Sequence, residues 1–130
     1  MEREALLVLA RQAAKKAYCP YSHFRVGAAL VANGKVYTGV NIEISSYGLT
    51  LCAERAALAS ALSNGDKDIT QLAVACLDAP PDALAHERTP CGACRQWIAD
   101  LAPHATLFVD GIERDFTITE LLPYAFGLPM

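Results

Sequence analysis

Residues 49–62 read LTLCAERAALASAL, a stretch that joins two ionisable side chains to a long alanine-rich run. The run is apolar on nearly every side, which predicts a helix buried in the core. We place this helix from about Leu51 to Asn64, with Thr50 as its N-cap and Gly65 as its C-terminal stop. The rest of the chain must then supply the elements that bury it.

Cys52 and Glu54 stand at the start of this helix. Positions two apart on a regular helix do not face each other, so the two side chains can serve one site only at the helix end. There they reach forward past the first turn, while the alanines behind them belong to the core. The stretch thus predicts reactive groups at the N-terminus of a buried helix.

The segments before this helix predict another helix and a hairpin. From Glu2 to Ala17, apolar residues recur at three- and four-residue steps, with acids early and lysines late, as the helix dipole favours. Pro20 ends this pattern in the loop CPYSHF, residues 19–24. Residues 25–41 then predict two short strands joined at Asn33-Gly34, a pair typical of a tight hairpin turn.

The segments after the helix predict more strands and two more helices. They are a strand at 69–78, a loop at 79–90, a helix at 91–102 closed by Pro103, strands at 105–110 and 115–119, and a short helix at 119–122. The order α-β-β-α-β-α-β-β-α predicts a mixed sheet layered with helices.

The composition predicts a single folded domain over residues 1–130. Hydrophobic residues make up 53% of the chain and charged residues 19%, which argues against disorder. The net charge of −3 argues against a nucleic-acid partner and favours a small or neutral ligand, because nucleic-acid binders usually carry a basic stripe. The first residues, MEREALLVLARQAAKK, reverse the charge order of a secretory signal, and no apolar run is long enough for a membrane helix. We therefore expect a cytoplasmic protein.

Cysteines are the residues that most strongly suggest chemistry, and the chain has five: Cys19, Cys52, Cys76, Cys91 and Cys94. In a reducing compartment, an odd number with a C-x-x-C pair favours a metal site or a catalytic thiol over a disulfide framework. Cys91 and Cys94 lie three apart at the start of a helix, so they share a face and can hold one ion. Without a further ligand, such a pair is as typical of a redox pair or a structural zinc site as of a catalytic site. We interpret Cys19 and Cys76 as packing residues.

Cys52 is the candidate third ligand, because the N-terminus of a helix stabilises a thiolate. Three thiolates describe an open zinc site, whose fourth position is left to water and which is typical of catalysis. The histidines do not stand at ligand spacing from these cysteines, and we expect none of them to bind metal: His23, His86 and His104.

Three further polar residues fit such a site. Glu54 would handle protons for the water at the metal. Arg55 would donate to the sulfurs and offset their negative charge, and Gln96 would be a similar donor from the third helix.

Two short motifs carry a resemblance to a known family. C-A-E at residues 52–54 and P-C-x-x-C at 90–94 together resemble the zinc-dependent nucleoside deaminase signature in its three-cysteine form. The chain is similar over its whole length to the small homotetrameric cytidine deaminases, with matching stretches YCPYSHFRVGAAL, TGVNIE, SYGLTLCAERAAL, PCGACRQ and LLPYAF. The resemblance implies a three-layer α-β-α sandwich with a mixed five-stranded sheet.

The resemblance also implies a set of substrate-binding residues: Phe24, Asn41, Glu43, Tyr47, Ala53 and Phe126. Phe24 would pack against the pyrimidine, and Asn41 and Glu43 would hydrogen-bond the ribose hydroxyls. Phe126 would help to close a pocket shared with a neighbouring subunit, and Tyr47 would also reach an adjacent site. Ile44 stands where many relatives carry asparagine; since Asn41 and Glu43 are present, we expect sugar binding to be retained, and the departure bears on fine specificity around the sugar and on the nearby subunit contact.

The implied reaction is a zinc-dependent hydrolysis of cytidine, and of 2′-deoxycytidine, to uridine or deoxyuridine and ammonia. One zinc ion per subunit would activate water, with Glu54 acting first as base and then as acid. Two other readings stay open. One is a deaminase of another aminopyrimidine, such as blasticidin S or cytosine in a polynucleotide. The other is a structural zinc site in a binding module, although it would need a fourth protein ligand.

Overall fold

The computed structural model covers residues 1–130 and contains four helices and four strands. In chain order they are α1 (Arg3–Ala14), β1 (Val26–Ala32), β2 (Lys35–Val40), α2 (Ala53–Ser63), β3 (Ile69–Cys76), α3 (Gly92–Leu101), β4 (Thr106–Val109) and α4 (Ile118–Leu121). None of these helices combines the length and the apolar character that crossing a bilayer requires.

The four strands form one mixed sheet in the order β2-β1-β3-β4. Strand β1 is antiparallel to both of its neighbours, whereas β3 and β4 are parallel and are connected through α3. The predicted hairpin is confirmed: β1 and β2 are joined by Asn33 and Gly34, whose φ angles are 52° and 76°. Two successive positive φ angles are the requirement that Asn-Gly meets in a two-residue turn.

The prediction of a fifth strand at 115–119 is wrong. Only Phe116 pairs with the sheet, through a single antiparallel bridge to Leu107. Thr117 then starts α4, because its side chain accepts a hydrogen bond from the Glu120 backbone while Glu120 accepts one from the Thr117 N–H. This reciprocal cap turns the chain into a helix one residue after the bridge.

Helices cover both faces of the sheet, and the alternation of strand residues separates two cores. On one face α1 contributes Leu6, Leu7 and Ala10 and packs on Ala29, Val31, Ala73, Ala75 and Phe108. On the other face α2 and α3 contribute Ala53, Ala57, Leu58, Ala61 and Ile98 and pack on Ala28, Leu30, Leu72, Val74, Leu107 and Val109. The alanine-rich helix thus buries one face as predicted, while Ala56, Ala59 and Leu62 on its other side are only half-buried in the single chain.

The position of α2 depends on Gly39 of β2. A Cβ atom at Gly39 would lie 2.5 Å from the carbonyl oxygen of Ala53 and would also collide with the backbone nitrogen of Ala57. The first turns of α2 therefore rest directly on the β2 backbone. This contact fixes the end of the helix that carries Cys52 and Glu54.

The helix α2 begins two residues later than predicted, because Cys52 and not Thr50 occupies its N-cap position. The cause is a bridge between Leu51 and Ile42, whose backbones exchange hydrogen bonds of 3.0 and 2.9 Å. This pairing holds the chain extended up to Leu51. The predicted stop is confirmed, since α2 ends at Ser63 and Gly65 follows with a φ of 83°.

Candidate active site

Three cysteine sulfurs meet where α2 and α3 begin. Cys52 and Cys91 occupy the N-cap positions of the two helices, both with extended backbone, and Cys94 lies in the first turn of α3. The Cys52 and Cys91 sulfurs are 3.7 Å apart, the Cys91 and Cys94 sulfurs are 3.5 Å apart, and all three lie within 4.8 Å of one another. All five cysteines of the chain are free thiols, so no disulfide competes for these groups.

The spacing of the three sulfurs fits a tetrahedral zinc ion. Zn–S bonds of about 2.3 Å at the tetrahedral angle place two sulfurs about 3.8 Å apart. The Cys52–Cys91 and Cys91–Cys94 separations are close to that value. No histidine or carboxylate joins the three sulfurs as a further ligand. The donor set therefore fits an ion held by three thiolates, with one tetrahedral position not taken by a side chain.

The protonation of the thiols also favours a cation at this point. A hydrogen bond from Cys94, with help from Arg55, lowers the pKa of Cys52 to about 5 against the opposing effect of burial. The same hydrogen bond and burial raise the pKa of Cys94 above its ordinary value. The lowered pKa of Cys52 thus favours its thiolate, whereas the raised pKa of Cys94 means that this thiol ionises only when positive charge compensates it. A divalent cation provides that compensation.

Arg55 lies next to the cluster. Its Nη2 atom is 3.4 Å from the Cys52 sulfur and 3.3 Å from the Thr50 carbonyl oxygen. The guanidinium is therefore placed to offset negative charge on that sulfur. Gln96 is placed differently from the sequence interpretation, since its Nε2 atom donates to the carbonyl of Phe126 at 2.8 Å and not to a sulfur. Residue 96 thus contacts the C-terminal tail.

Glu54 is the second residue of α2 and is only 4% exposed. Burial, reinforced by negative charge at Cys52, raises the pKa of its carboxyl to about 7. Its side chain lines the same cavity as Cys52 and Cys91. The geometric condition set by the sequence is met, because Cys52 precedes the helix with extended backbone and Glu54 lies within the first turn. The arrangement places a carboxyl that can exchange protons near neutral pH beside a metal-binding cluster.

The cavity at this point has a volume of about 190 Å³. Besides Cys52, Cys91 and Glu54, it is lined by three of the residues proposed for substrate binding: Phe24, Asn41 and Ala53. Larger grooves exist elsewhere on the surface, but none of them contains a residue of the thiol cluster or Glu54. The chemistry and the enclosed space therefore coincide only here.

Sequence reasoning missed seven of the residues that line the cavity: Val26, Thr50, Val74, Cys76, Glu87, Arg88 and Thr89. Val26 and Val74 could be found only from the pairing of β1 with β3. Cys76, interpreted as a packing residue, is the last residue of β3 and reaches the cavity. The loop residues Glu87 and Arg88 belong to a segment without periodic pattern, and Thr89 precedes the P-C-x-x-C motif without any signal of its own.

Asn41 and Glu43 occupy different positions relative to the cavity. Asn41 lines it, accepting from the Val26 N–H at 2.9 Å and donating to the Phe24 carbonyl at 2.7 Å. Glu43 is 3% exposed and is not among the lining residues. Its carboxylate accepts hydrogen bonds from the Tyr21 and Ser22 backbones and from the hydroxyls of Ser22 and Tyr47. Burial opposes the ionisation of Glu43, but these hydrogen bonds lower the net pKa of the carboxyl.

Tyr47 and Phe126 lie on the surface of the chain. Tyr47 is 52% exposed and its hydroxyl donates to Glu43 at 3.3 Å, while Phe126 is 70% exposed in the C-terminal tail. Neither residue lines the cavity of its own chain. Their roles in substrate binding stay predictions.

Known proteins resemble this chain both in sequence and in fold. The family model for the cytidine and deoxycytidylate deaminase zinc-binding region matches residues 1–109. The chain is 46% identical to the cytidine deaminase of Halalkalibacterium halodurans, over 97% of this chain and 95% of that protein. It is 47% identical to a cytidine deaminase of Mycobacterium tuberculosis, over 92% and 85%.

A solved structure is equally similar. The crystal structure of the cytidine deaminase from Burkholderia pseudomallei superimposes with a TM-score of 0.85 at 43% identity, covering 97% of this chain and 100% of that one. Because sequence and fold match over most of the length, this protein belongs to the family of zinc-binding cytidine and deoxycytidylate deaminases.

Proposed function

We propose that this protein is a cytidine deaminase, which hydrolyses cytidine, and also 2′-deoxycytidine, to uridine or deoxyuridine and ammonia. The observation that carries the proposal is the buried carboxyl of Glu54 in one cavity with Cys52 and Cys91. Cytidine deamination needs a metal to activate water and an adjacent group to move protons. The meeting point of α2 and α3 provides three sulfurs that could hold the metal and, in Glu54, the group that could move protons.

In the proposed reaction the cysteines bind the metal and Glu54 transfers protons. Cys52, Cys91 and Cys94 would hold one zinc ion per chain. When bound, zinc supplies a Lewis acid that lowers the pKa of water, so that a hydroxide nucleophile is available near neutral pH. Glu54 takes the proton that the attacking water releases and delivers a proton to ring N3. The water oxygen bonds to C4 in this step. Glu54 then moves the remaining hydroxyl proton to the amino nitrogen, the bond between C4 and that nitrogen breaks, and ammonia leaves as a carbonyl forms at C4.

Other residues in and near the cavity would orient the base and the sugar. Phe24 and Ala53 would hold the pyrimidine, and Asn41 retains one amide hydrogen and one lone pair for a ribose hydroxyl. Glu43 would accept from a ribose hydroxyl only if one of its present donors gives way. Tyr47, at 3.3 Å, makes the longest of those hydrogen bonds. Sugar binding would thus release the Tyr47 hydroxyl towards a neighbouring chain.

The assembly that we propose is a homotetramer with shared sites. The C-terminal tail exposes a series of large apolar side chains to solvent: Tyr124, Phe126, Leu128 and Met130. A run of exposed apolar residues is typical of a surface that another chain covers. We place the enzyme in the cytoplasm as part of the same proposal, because its catalysis depends on thiols that stay reduced.

Two alternative functions give different results in one set of assays. A deaminase of another aminopyrimidine would release ammonia from blasticidin S or a single-stranded oligonucleotide in preference to cytidine. A structural zinc site in a binding module would hold zinc without any turnover. The three-sulfur cluster without a fourth protein ligand argues against the second alternative.

The test is therefore an assay of cytidine, 2′-deoxycytidine, blasticidin S and a single-stranded oligonucleotide with protein of known zinc content. We expect ammonia release and the absorbance change of uridine formation with the two nucleosides, and loss of both with a strong chelator. Protein that contains zinc but leaves both nucleosides unchanged would refute the proposed function.

A further inference from the structure

One wall of the cavity is formed by the loop between β3 and α3. Glu87, Arg88 and Thr89 of this loop line the cavity together with Glu54 of α2. The segment contains only a single turn of 3₁₀ helix, Ala85–Glu87. Its backbone hydrogen bonds are short-range turns within the loop, such as those from the Ala83 N–H to the Pro80 carbonyl at 2.9 Å and from the Thr89 N–H to the Ala85 carbonyl at 3.0 Å. Side chains therefore supply the contacts that tie the loop to β4 and α3.

Arg88 is the side chain that holds the loop. Its guanidinium donates to the carbonyl oxygens of Pro80 at 2.7 Å, Pro81 at 3.3 Å and Ala83 at 3.3 Å. It also reaches the carbonyl of Asp110, just beyond β4, at 3.5 Å. Arg88 forms no ion pair in the structure, so its charge is used on backbone carbonyls alone. The five N–H donors of an arginine spread over a fixed plane and can hold carbonyls that lie too far apart for the three clustered donors of a lysine.

Gly111 supports Arg88 from the side of β4. A Cβ atom at this position would lie 2.5 Å from Nη1 of Arg88, and the residue has a φ of 85°. The guanidinium therefore occupies space that only a glycine leaves free. A side chain at 111 would push Arg88 away from the loop carbonyls.

A second arginine holds the opposite end of the same segment. Arg95 of α3 donates to the Pro90 carbonyl at 2.8 Å, to the Thr89 hydroxyl at 3.0 Å and to the Leu121 carbonyl at 2.7 Å. These contacts secure the residues directly before Cys91. Arg88 and Arg95 thus hold two different parts of the loop, one far from the thiol cluster and one adjacent to it.

We propose that Arg88 is a positioning residue for the substrate: by fixing residues 80–83 to the end of β4, it sets the shape of the cavity wall at Glu87 and Thr89. This proposal rests on the proposed deaminase function. In this proposal Arg88 affects substrate binding and not the chemical step, because the reacting groups on α2 and α3 are held by other contacts. Loss of the Arg88 contacts should loosen the wall without moving Glu54 or the sulfurs.

The first test replaces Arg88 by lysine, which keeps the charge and loses the fork. We expect the KM for cytidine to rise about tenfold while kcat stays within about threefold, because the wall must then be ordered when substrate binds. Zinc content should remain at the wild-type value, and the 80–87 segment should be cut faster by a protease. R114K serves as control, since Arg114 pairs with Glu120 away from the cavity.

The second test disturbs the Arg88 guanidinium by a substitution outside the loop, at Gly111. Gly111→Ala adds backbone strain and displaces Arg88, whereas Gly65→Ala adds the same kind of strain at a φ of 83° with no atom within 4 Å of the new Cβ. We expect Gly111→Ala to raise the KM for cytidine and Gly65→Ala to leave it unchanged. This pair keeps the proposal testable if the arginine variant does not fold.

The outcomes separate this proposal from the proposed function. A wild-type protein that binds zinc without deaminating cytidine would refute the function itself. An active wild-type protein with an unchanged KM in both R88K and G111A would overturn the role of Arg88 alone. Loss of zinc, or a fall in kcat at constant KM, would also overturn it, because either result would show that Arg88 acts on the metal cluster.

Discussion

The sulfur of Cys52 lies 3.7 Å from the sulfur of Cys91, although the two residues are 39 positions apart in the chain. Each cysteine stands at the N-cap position of its own helix, so the contact joins the beginnings of α2 and α3. Helix N-termini carry unpaired N–H groups and a partial positive charge, which favour thiolates. The positions of the two helix N-termini therefore bring the sulfurs together and also favour their thiolate forms.

Replacing a cysteine of this cluster should remove the metal. We expect Cys52→Ala to lower zinc to well below one ion per chain and to abolish turnover, because two sulfurs cannot complete a site built for three. Metal analysis of the purified variant and the cytidine assay measure the two effects. C76S is the control, since Cys76 lines the same cavity but lies outside the cluster. Full zinc content in C52A would contradict the assignment.

Replacing Glu54 should separate metal binding from catalysis. Glu54→Gln keeps the size of the side chain but cannot transfer protons, so we expect normal zinc content with kcat lowered by about 10²- to 10⁴-fold. The control is E87Q, because Glu87 is the other carboxylate lining the cavity and its side chain accepts a hydrogen bond from the Leu84 backbone. The assignment of Glu54 fails if E54Q retains wild-type turnover or if E87Q loses as much.

Features of the fold that depend on neighbours in sequence could be predicted, and those that depend on distant pairing could not. The Asn33-Gly34 turn and the burial of one face of α2 follow from local residue types. The start of α2 was misplaced because the Leu51–Ile42 bridge is invisible in the sequence of the helix itself. The predicted strand at 115–119 failed for the opposite reason, since a strong local cap at Thr117 overrode the strand-like pattern.

In the candidate site, too, local sequence patterns predicted some features and missed those that depend on distant contacts. Cysteine spacing and helix position were enough to bring Cys52, Cys91 and Cys94 together as candidates. The cavity wall at 87–89 could not be predicted, because its position depends on contacts between Arg88 and carbonyls that sequence patterns do not reveal. Glu43 illustrates a further limit, since its four hydrogen bonds to the neighbouring loops appear only in three dimensions.

The close contact between Gly39 and α2 should couple stability to catalysis. In Gly39→Ala the new methyl group collides with the backbone of Ala53, so we expect the free energy of unfolding to fall by about 1–3 kcal/mol or more. Because the first turn of α2 must shift, turnover should fall as well, even where the variant remains folded. Urea unfolding and the cytidine assay measure the two effects. G48A is the matched control, since a Cβ at Gly48 meets no atom within 4 Å.

The proposed sharing of sites between chains can be tested by mixing two inactive variants. Phe126 is 70% exposed and does not line the cavity of its own chain, so Phe126→Ser should impair the site of a neighbour. If the variants F126S and E54Q are dissociated, mixed and reassembled in equal amounts, about one quarter of the sites should combine an intact Glu54 with an intact Phe126. Recovered activity would support the shared site. No recovery despite mixed assembly would show that Phe126 acts within its own chain or not at all.

The ion pair between Arg25 and Asp78 should make stability depend on acid pH. Asp78 follows β3 and accepts hydrogen bonds from the backbone N–H, Nε and Nη2 of Arg25, at 2.8, 3.0 and 2.9 Å. These contacts lower the pKa of the Asp78 carboxyl to about 2, below its value of about 3.9 in an unfolded chain. A depressed folded-state pKa contributes stability above the unfolded pKa and loses it as the pH falls towards the folded value.

We therefore expect Asp78→Asn to be less stable than the wild type at pH 6, with the difference shrinking between about pH 4 and pH 2 as the wild-type carboxylate takes up its proton. Denaturant unfolding measured across this range tests the expectation, and release of zinc in acid affects both proteins alike. The matched control is D82N, which removes an exposed carboxylate that forms no ion pair. A stability difference between wild type and D78N that stays constant down to pH 2 would show that the Arg25–Asp78 contact does not contribute through its charge.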